Sequence, residues 1–238
     1  MISFKDVSYT YPSGYKALQQ IAFDIASGAK VAIVGENGSG KSTLLLHFNG
    51  ILQASQGSIC IDQTVISNST LTQIRQKVGM VFQNPEHQLF MPTVEEDVAV
   101  GPINMKQSKT DVDKSVESAL KQVNALHLRD RQISQLSGGQ KKTVAIATVL
   151  AMNPEVLVMD EPTSNLDHRS RRHVMQYIHA CEKTCIVATH DLEMAWELCS
   201  HVLVLKDGKI MTYGLCKDVL SHETLLQDAG LDLPWQAR

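Results

Sequence analysis

Residues 35–43 read G-E-N-G-S-G-K-S-T. They fit the pattern G-x-x-x-x-G-K-[ST], which takes its meaning from what lies on either side of it. Lys30–Val34 (K-V-A-I-V) is a short β-branched run ending at Gly35, and Lys41–Phe48 (K-S-T-L-L-L-H-F) reads as an apolar helix. Strand, loop and helix come in the order a phosphate cradle needs. Gly35, Gly38 and Gly40 let backbone N–H groups converge on anionic oxygens, Glu36, Asn37 and Ser39 complete the loop, and the helix N-terminus adds partial positive charge. Lys41 is placed to neutralise β- and γ-phosphates and the Ser42 hydroxyl to hold Mg²⁺. Residues Gly35 to Thr43 are therefore expected to bind the phosphates of a nucleotide.

The 238 residues suffice for one large or two small domains with a substantial core. At 43% hydrophobic and a net charge of -3 the composition is that of a soluble globular protein, with no basic excess to suggest nucleic acid. The opening M-I-S-F-K-D-V lacks the apolar core of a signal peptide, and no run approaches the roughly 18 apolar residues of a membrane span. Five cysteines, Cys60, Cys181, Cys185, Cys199 and Cys216, are an odd number scattered through expected strands and helices. Reduced thiols in a cytosol are expected, and Cys181 and Cys185 lack the second ligand pair of a metal site.

Outward from the loop, residues 1–7 and 21–25 alternate apolar and polar around a turn at residues 11–14, which reads as an antiparallel β layer. Tyr11 and Tyr15 flank that turn, and the residues themselves leave open whether they stack on a base or pack in the layer. Residues 58–61 and 78–82 read as further strands. From Asn84 to Leu136 the character becomes helical: Thr93 with Glu96 forms a capping box for a helix over 93–100, Gly101-Pro102 leads to a polar linker, and Val112, Val116, Ala119, Leu120, Val123 and Leu126 share one face of a helix over 110–126. Ser137 with Gln140 is a second capping box before a helix over 141–152. Gly138 and Gly139 at its start leave backbone N–H groups bare, a phosphate-binding arrangement. The chain thus offers two anion cradles where a triphosphate needs one.

Val156–Asp160 (V-L-V-M-D) has no alternation and reads as a strand buried on both faces, ending in two acids. Asp160 suits Mg²⁺, and Glu161 suits orienting or deprotonating an attacking water. Residues 185–189 form another buried strand that brings His190 and Asp191 to the same edge, where His190 is placed to sense a γ-phosphate. Asp207-Gly208 marks a type I′ hairpin between residues 202–206 and 209–213, and short amphipathic helices follow.

Together these stretches resemble the ATP-binding subunit of ABC transporters over nearly the whole chain. Residues 35–43 resemble the Walker A loop, Gln83 the Q-loop glutamine, residues 136–140 (L-S-G-G-Q) the signature, residues 156–161 the Walker B strand with its catalytic glutamate, residues 164–167 the D-loop, His190 the switch histidine and Tyr11 the base-stacking aromatic. The resemblance implies an α/β fold with a P-loop NTPase core of the ABC ATPase type, an antiparallel β layer and an inserted helical subdomain. It implies a single domain over residues 1–238, in which 1–83 and 141–238 form the core and β layer and 84–140 form the subdomain carrying the signature. ATP and Mg²⁺ follow, with Glu161, His190 and Lys41 catalytic, and Ser42, Gln83 and Asp160 around the metal. Ser137, Gly138, Gly139 and Gln140 would meet the nucleotide held by a second ATPase chain, identical or a paralogue, packed head to tail.

Residues 83–104 (Q-N-P-E-H-Q-L-F-M-P-T-V-E-E-D-V-A-V-G-P-I-N) are similar to the ATPases of energy-coupling-factor importers, most of all the cobalt and nickel branch. That implies a motor on the cytoplasmic face of a prokaryotic cell membrane, with a transmembrane scaffold and a small substrate-binding membrane protein as partners. Vitamin uptake is the alternative cargo. A soluble ABC ATPase acting on nucleic acid or ribosomes is the rival class, against which stand a single cassette, no long coiled coil and no basic patch. Glu36 replaces the loop's common proline or histidine, Thr143 stands where the family usually has arginine, and Ser164-Asn165 replaces the usual small pair of the D-loop.

Overall fold

In a computed structural model, residues 1–237 are described. Strands β1 (Ile2–Thr10), β2 (Lys16–Ile25) and β3 (Lys30–Val34) precede helix α1 (Lys41–Phe48); β4 (Gln56–Ile61), β5 (Thr64–Val65), α2 (Leu71–Lys77) and β6 (Val78–Val81) follow. The chain continues through α3 (Val94–Asn104), α4 (Lys109–Gln122), α5 (Gly138–Leu150), β7 (Val156–Asp160), α6 (His168–Ala180), β8 (Thr184–Ala188) and α7 (Leu192–Leu198). It ends with the β9 (His201–Lys206) and β10 (Lys209–Leu215) hairpin and helices α8 (Cys216–Leu220) and α9 (Glu223–Asp228).

Two sheets result: an antiparallel one in the order β2-β1-β4-β5, and a six-stranded one in the order β10-β9-β3-β8-β7-β6. In the second, β9, β3, β8, β7 and β6 run parallel and β10 is antiparallel at the edge. Its central strands are buried on both faces, which explains their unbroken apolar runs. Val31, Ile33, Val158, Ile186 and Leu203 pack with Phe48, Leu44 and the antiparallel sheet, whereas Ala32, Val34, Leu157, Val187 and Val202 pack toward α5 and α7. Helix α1 is thus enclosed between the two sheets, and its Phe48 meets Phe4 and Phe23. That fixes the loop before it.

Several boundaries move. Helix α3 does not stop at residue 100 before a linker but runs through a buried Pro102 to Asn104. A Cβ on Gly101 would lie 2.3 Å from Met152 Cγ, so this turn packs closely on the chain following α5, and tertiary contact overrides the Gly-Pro stop signal. Helix α4 ends at Gln122, short of Val123 and Leu126, because Asn124 turns left-handed (φ 55) and Ala125 N–H closes on Leu120 O at 2.8 Å. Helix α5 begins at Gly138 and not at 141, with Ser137 as the cap. Strands β1 and β2 extend to the turn, interrupted by bulges. Three helices, α2, α6 and α7, have no counterpart among the expected elements. The type I′ reading holds: Asp207 and Gly208 have φ 48 and 72. Among the described residues no helix is long and apolar enough to cross a membrane, and no cluster of three or more His, Cys, Asp or Glu side chains could hold a metal ion.

Candidate active site

Loop 35–40 leaves β3 between the two sheets. Gly40 caps α1 with φ 108, and a Cβ there would come within 2.9 Å of Ala17 O, so the turn into the helix requires glycine in both conformation and space. The hairpin tip supports the loop from outside, Gly208 N–H donating to Ser39 O at 3.0 Å. Lys41, buried, turns back and donates from Nζ to Gly35 O at 2.7 Å and Glu36 O at 2.9 Å. Burial lowers its pKa, opposed by the charges of Glu161 and Asp160.

A cavity of about 250 Å³ lies over this turn, and its wall includes Asn37, Gly38, Gly40, Lys41, Ser42, Thr43, Gln83, Asp160, Glu161 and Tyr15. Sheet topology gathers these residues, because β3, β7 and β8 are parallel neighbours whose C-terminal ends share one edge. Asp160 is bonded to Ser42, and its pKa is raised by burial with that hydrogen bond pulling the other way. Ser42, Asp160 and Gln83 present hard oxygen donors to one cavity, a set that fits Mg²⁺.

Glu161 follows β7 in the left-handed region, φ 47, and is 6% exposed. That turn is what lets two successive carboxylates face the same cavity, and Glu161 N–H secures it by donating to Ala188 O at 2.9 Å. The Glu161 carboxylate accepts from His190 N–H at 3.1 Å and from His190 Nδ1 at 2.8 Å, with Thr189 Oγ1 at 3.4 Å. His190 does not line the cavity, and its ring is 70% exposed while bonded to the acid that does. Asp191 steadies this corner by capping α7 and pairing with Arg171 at 2.6 Å.

The remaining expected residues divide. Ser39 is buried beneath the loop with Oγ unpartnered, and the Glu36 side chain lies against Gly230 in the C-terminal segment, away from the cavity. Tyr11 is held off the cavity, its hydroxyl 3.0 Å from Thr43 Oγ1, and the neighbouring Tyr15 lines the wall in its place with the two rings near-parallel. Ser137 and Gln140 border a different cavity, of about 280 Å³, with Thr143, Asp167, Arg169 and His173. The two cavities share no lining residue. Thr143 bonds back to Gly139 O at 3.0 Å. Sequence reasoning missed Lys142, a buried cation touching Gln83 O and Asp160 O; the available signal was a charged residue on the apolar side of α5.

Comparison with known proteins decides what this edge belongs to. A family model described as ABC transporter matches residues 18–164. The chain belongs to the ABC transporter family. It is an ABC ATPase, which binds ATP with Mg²⁺ and hydrolyses it. The energy-coupling factor transporter ATP-binding protein EcfA of Methanosphaera stadtmanae is 42% identical over 99% of this chain and 86% of its own length. The solved structure of cbiO1 from Clostridium perfringens, part of the ABC transporter complex cbiONQ, aligns with TM-score 0.83 and 38% identity over 99% of this chain and 96% of that one. A dimeric ATP-binding cassette in a post-hydrolysis state with ADP and Pi aligns with TM-score 0.84 and 31% identity over 91% of this chain and 99% of that one. The ABC ATPase fold, with its mixed sheet and antiparallel layer, is therefore shared with solved relatives.

Proposed function

We propose that this ABC ATPase is the motor subunit of an energy-coupling-factor importer for cobalt or nickel ions. Two copies pair head to tail and act at the cytoplasmic face of a prokaryotic membrane on a transmembrane scaffold and a small substrate-binding protein. The observation that carries the pairing is the separation of the two anion cradles, together with the open space at Gly138. A Cβ on Gly138 would meet no described atom within 4 Å, and one on Gly139 would meet Leu166 no closer than 3.6 Å. Glycine is not required there by this chain's own packing. A closely approaching nucleotide on a second copy gives it a reason.

Within such a pair the placement of these residues supports the following roles. Lys41 exchanges loop carbonyls for phosphate oxygens, and Ser42, Asp160 and Gln83 hold Mg²⁺, which when bound neutralises phosphate charge. Glu161 takes a proton from the water that adds to the γ-phosphorus as the bond to the β-phosphate breaks, giving ADP and Pi. His190, released from Glu161, faces the γ-phosphate. The adenine rests against Tyr15, with Tyr11 near-parallel beside it, unless Tyr11 turns from Thr43 to take the base itself.

Residues 84–140 serve as the helical subdomain that meets the membrane subunit, where Phe90 and Ile103 are 69% and 59% exposed. The relatives named EcfA and the cbiO1 neighbour support the importer class, and the form of residues 83–104 supports the metal cargo. The test is capture of the tagged full chain from detergent-solubilised native membranes, with partners identified by mass spectrometry. A membrane scaffold with a small metal-binding membrane protein is expected. A vitamin-binding membrane protein would overturn the cargo, and ribosomes or nucleic acid without membrane protein would overturn transport.

A further inference from the structure

Lys142 lies in the second turn of the signature helix α5 and is 3% exposed. Its Nζ is 2.6 Å from Gln83 O, 3.4 Å from Phe82 O and 3.4 Å from Asp160 O, so backbone carbonyls receive the ammonium and no carboxylate pairs with it at close range. Burial costs the charged form, and Lys142 is pushed down to about 8. A methionine would fill such a position with less penalty if packing were its whole purpose. The carbonyls belong to the two segments that the site reading above places at the metal edge, the Gln83 loop and the end of β7.

A second strut fixes the far end of the same loop to the same helix. Gln88 Oε1 accepts from Phe82 N–H at 3.1 Å, while its Nε2 donates to Ala145 O at 2.6 Å and Thr148 Oγ1 at 2.8 Å, both on α5. On the exposed side Lys141 Nζ pairs with Glu86 at 2.5 Å. Residues 82–88 are thus gripped at both ends by a helix whose N-terminus carries Ser137, Gly138 and Gly139.

We infer that Lys142 is a positioning residue for hydrolysis: it clamps the Gln83 loop and the end of the Asp160 strand to the signature helix, and so holds Gln83 and Asp160 in place relative to each other. Lys142 touches no substrate and acts through Gln83 and Asp160. The inference rests on the assignment of those two residues to the metal edge.

The test compares full-length wild type, Lys142→Met, Lys142→Arg and Glu161→Gln in ATP turnover against ATP concentration, with hydrogen exchange of the same proteins followed by mass spectrometry. Lys142→Met is expected to lower kcat about tenfold with KM within about twofold, and to speed exchange in residues 82–88 while α1 and β8 are unchanged. Lys142→Arg, which keeps a cation on the clamp, is expected to recover at least about half of the wild-type kcat. A kcat within about twofold of wild type in Lys142→Met overturns the clamp. So does a lowered kcat with unchanged exchange at 82–88, a rise in KM without loss of kcat, or faster exchange across the whole chain. Should Lys142→Met not fold, Lys142→Arg decides: recovered turnover with wild-type exchange at 82–88 supports the clamp, and wild-type exchange with lost turnover overturns it. Glu161→Gln separates the two layers, since loss of turnover there with none in Lys142→Met removes the clamp and leaves the site assignment standing.

Discussion

Glu161 holds a left-handed backbone, a conformation that costs a non-glycine residue on the order of 1 kcal/mol and persists only where its surroundings enforce it. Here the Ala188 carbonyl and the His190 pair enforce it, and the return is a second carboxylate in a cavity that already holds Asp160. Glu161→Gln keeps size and hydrogen bonding and removes the base. ATP binding is expected to persist while hydrolysis falls on the order of 10²-fold or more, measured by nucleotide titration beside phosphate release. Near-normal turnover would take Glu161 out of the role. The acids, the loop and His190 were legible as residues because each sits at a strand end or glycine turn that the sequence marks. What sequence could not carry was direction: that His190 turns onto Glu161, that Tyr11 faces Thr43 while Tyr15 takes the wall, and that Glu36 leans away onto Gly230. Those are set by neighbours distant in the chain.

Among the elements, α1 was readable to the residue because a glycine loop starts it and Asn49-Gly50 ends it. Helix α3 was not, since its Gly-Pro signal is overridden by packing on Met152, and α6 and α7 carry no motif to attract notice. Helix α1 also carries a pH consequence. His47 is fully buried, with Nδ1 2.7 Å from Thr43 O, Nε2 unpartnered and the ring edge-on to Tyr9. Burial lowers its pKa, the bond to Thr43 opposing. A histidine whose folded pKa is lowered contributes stability that is complete above its ordinary value of 6.5 and is lost as pH falls below it toward the folded value. The melting temperature should therefore drop less between pH 7.5 and 5.5 in His47→Met than in wild type. Parallel melting curves across that range would show that His47 does not titrate on unfolding.

For the whole molecule, the fold places loop 35–43 and the start of α5 at separate cavities of one chain. Both glycine stretches are marked in the sequence, and the fold adds that Gly138 has room around it that intrachain packing does not use. Gly138→Phe should consequently fold, with a melting temperature within a few degrees of wild type, yet lose ATP-dependent pairing because the ring occupies the approach of the second copy's nucleotide. A large loss of stability in that variant would mean that the glycine serves the chain's own fold.

The central claim, that one chain is half of a composite ATPase completed by its own copy, is tested most directly by light scattering of full-length Glu161→Gln with and without ATP and Mg²⁺. The account predicts a shift from the 26.3 kDa monomer to twice that mass on addition of nucleotide, reversed when nucleotide is removed and absent when Gly138→Phe is added. A species that binds ATP and stays at 26.3 kDa at concentrations far above its nucleotide Kd would contradict it.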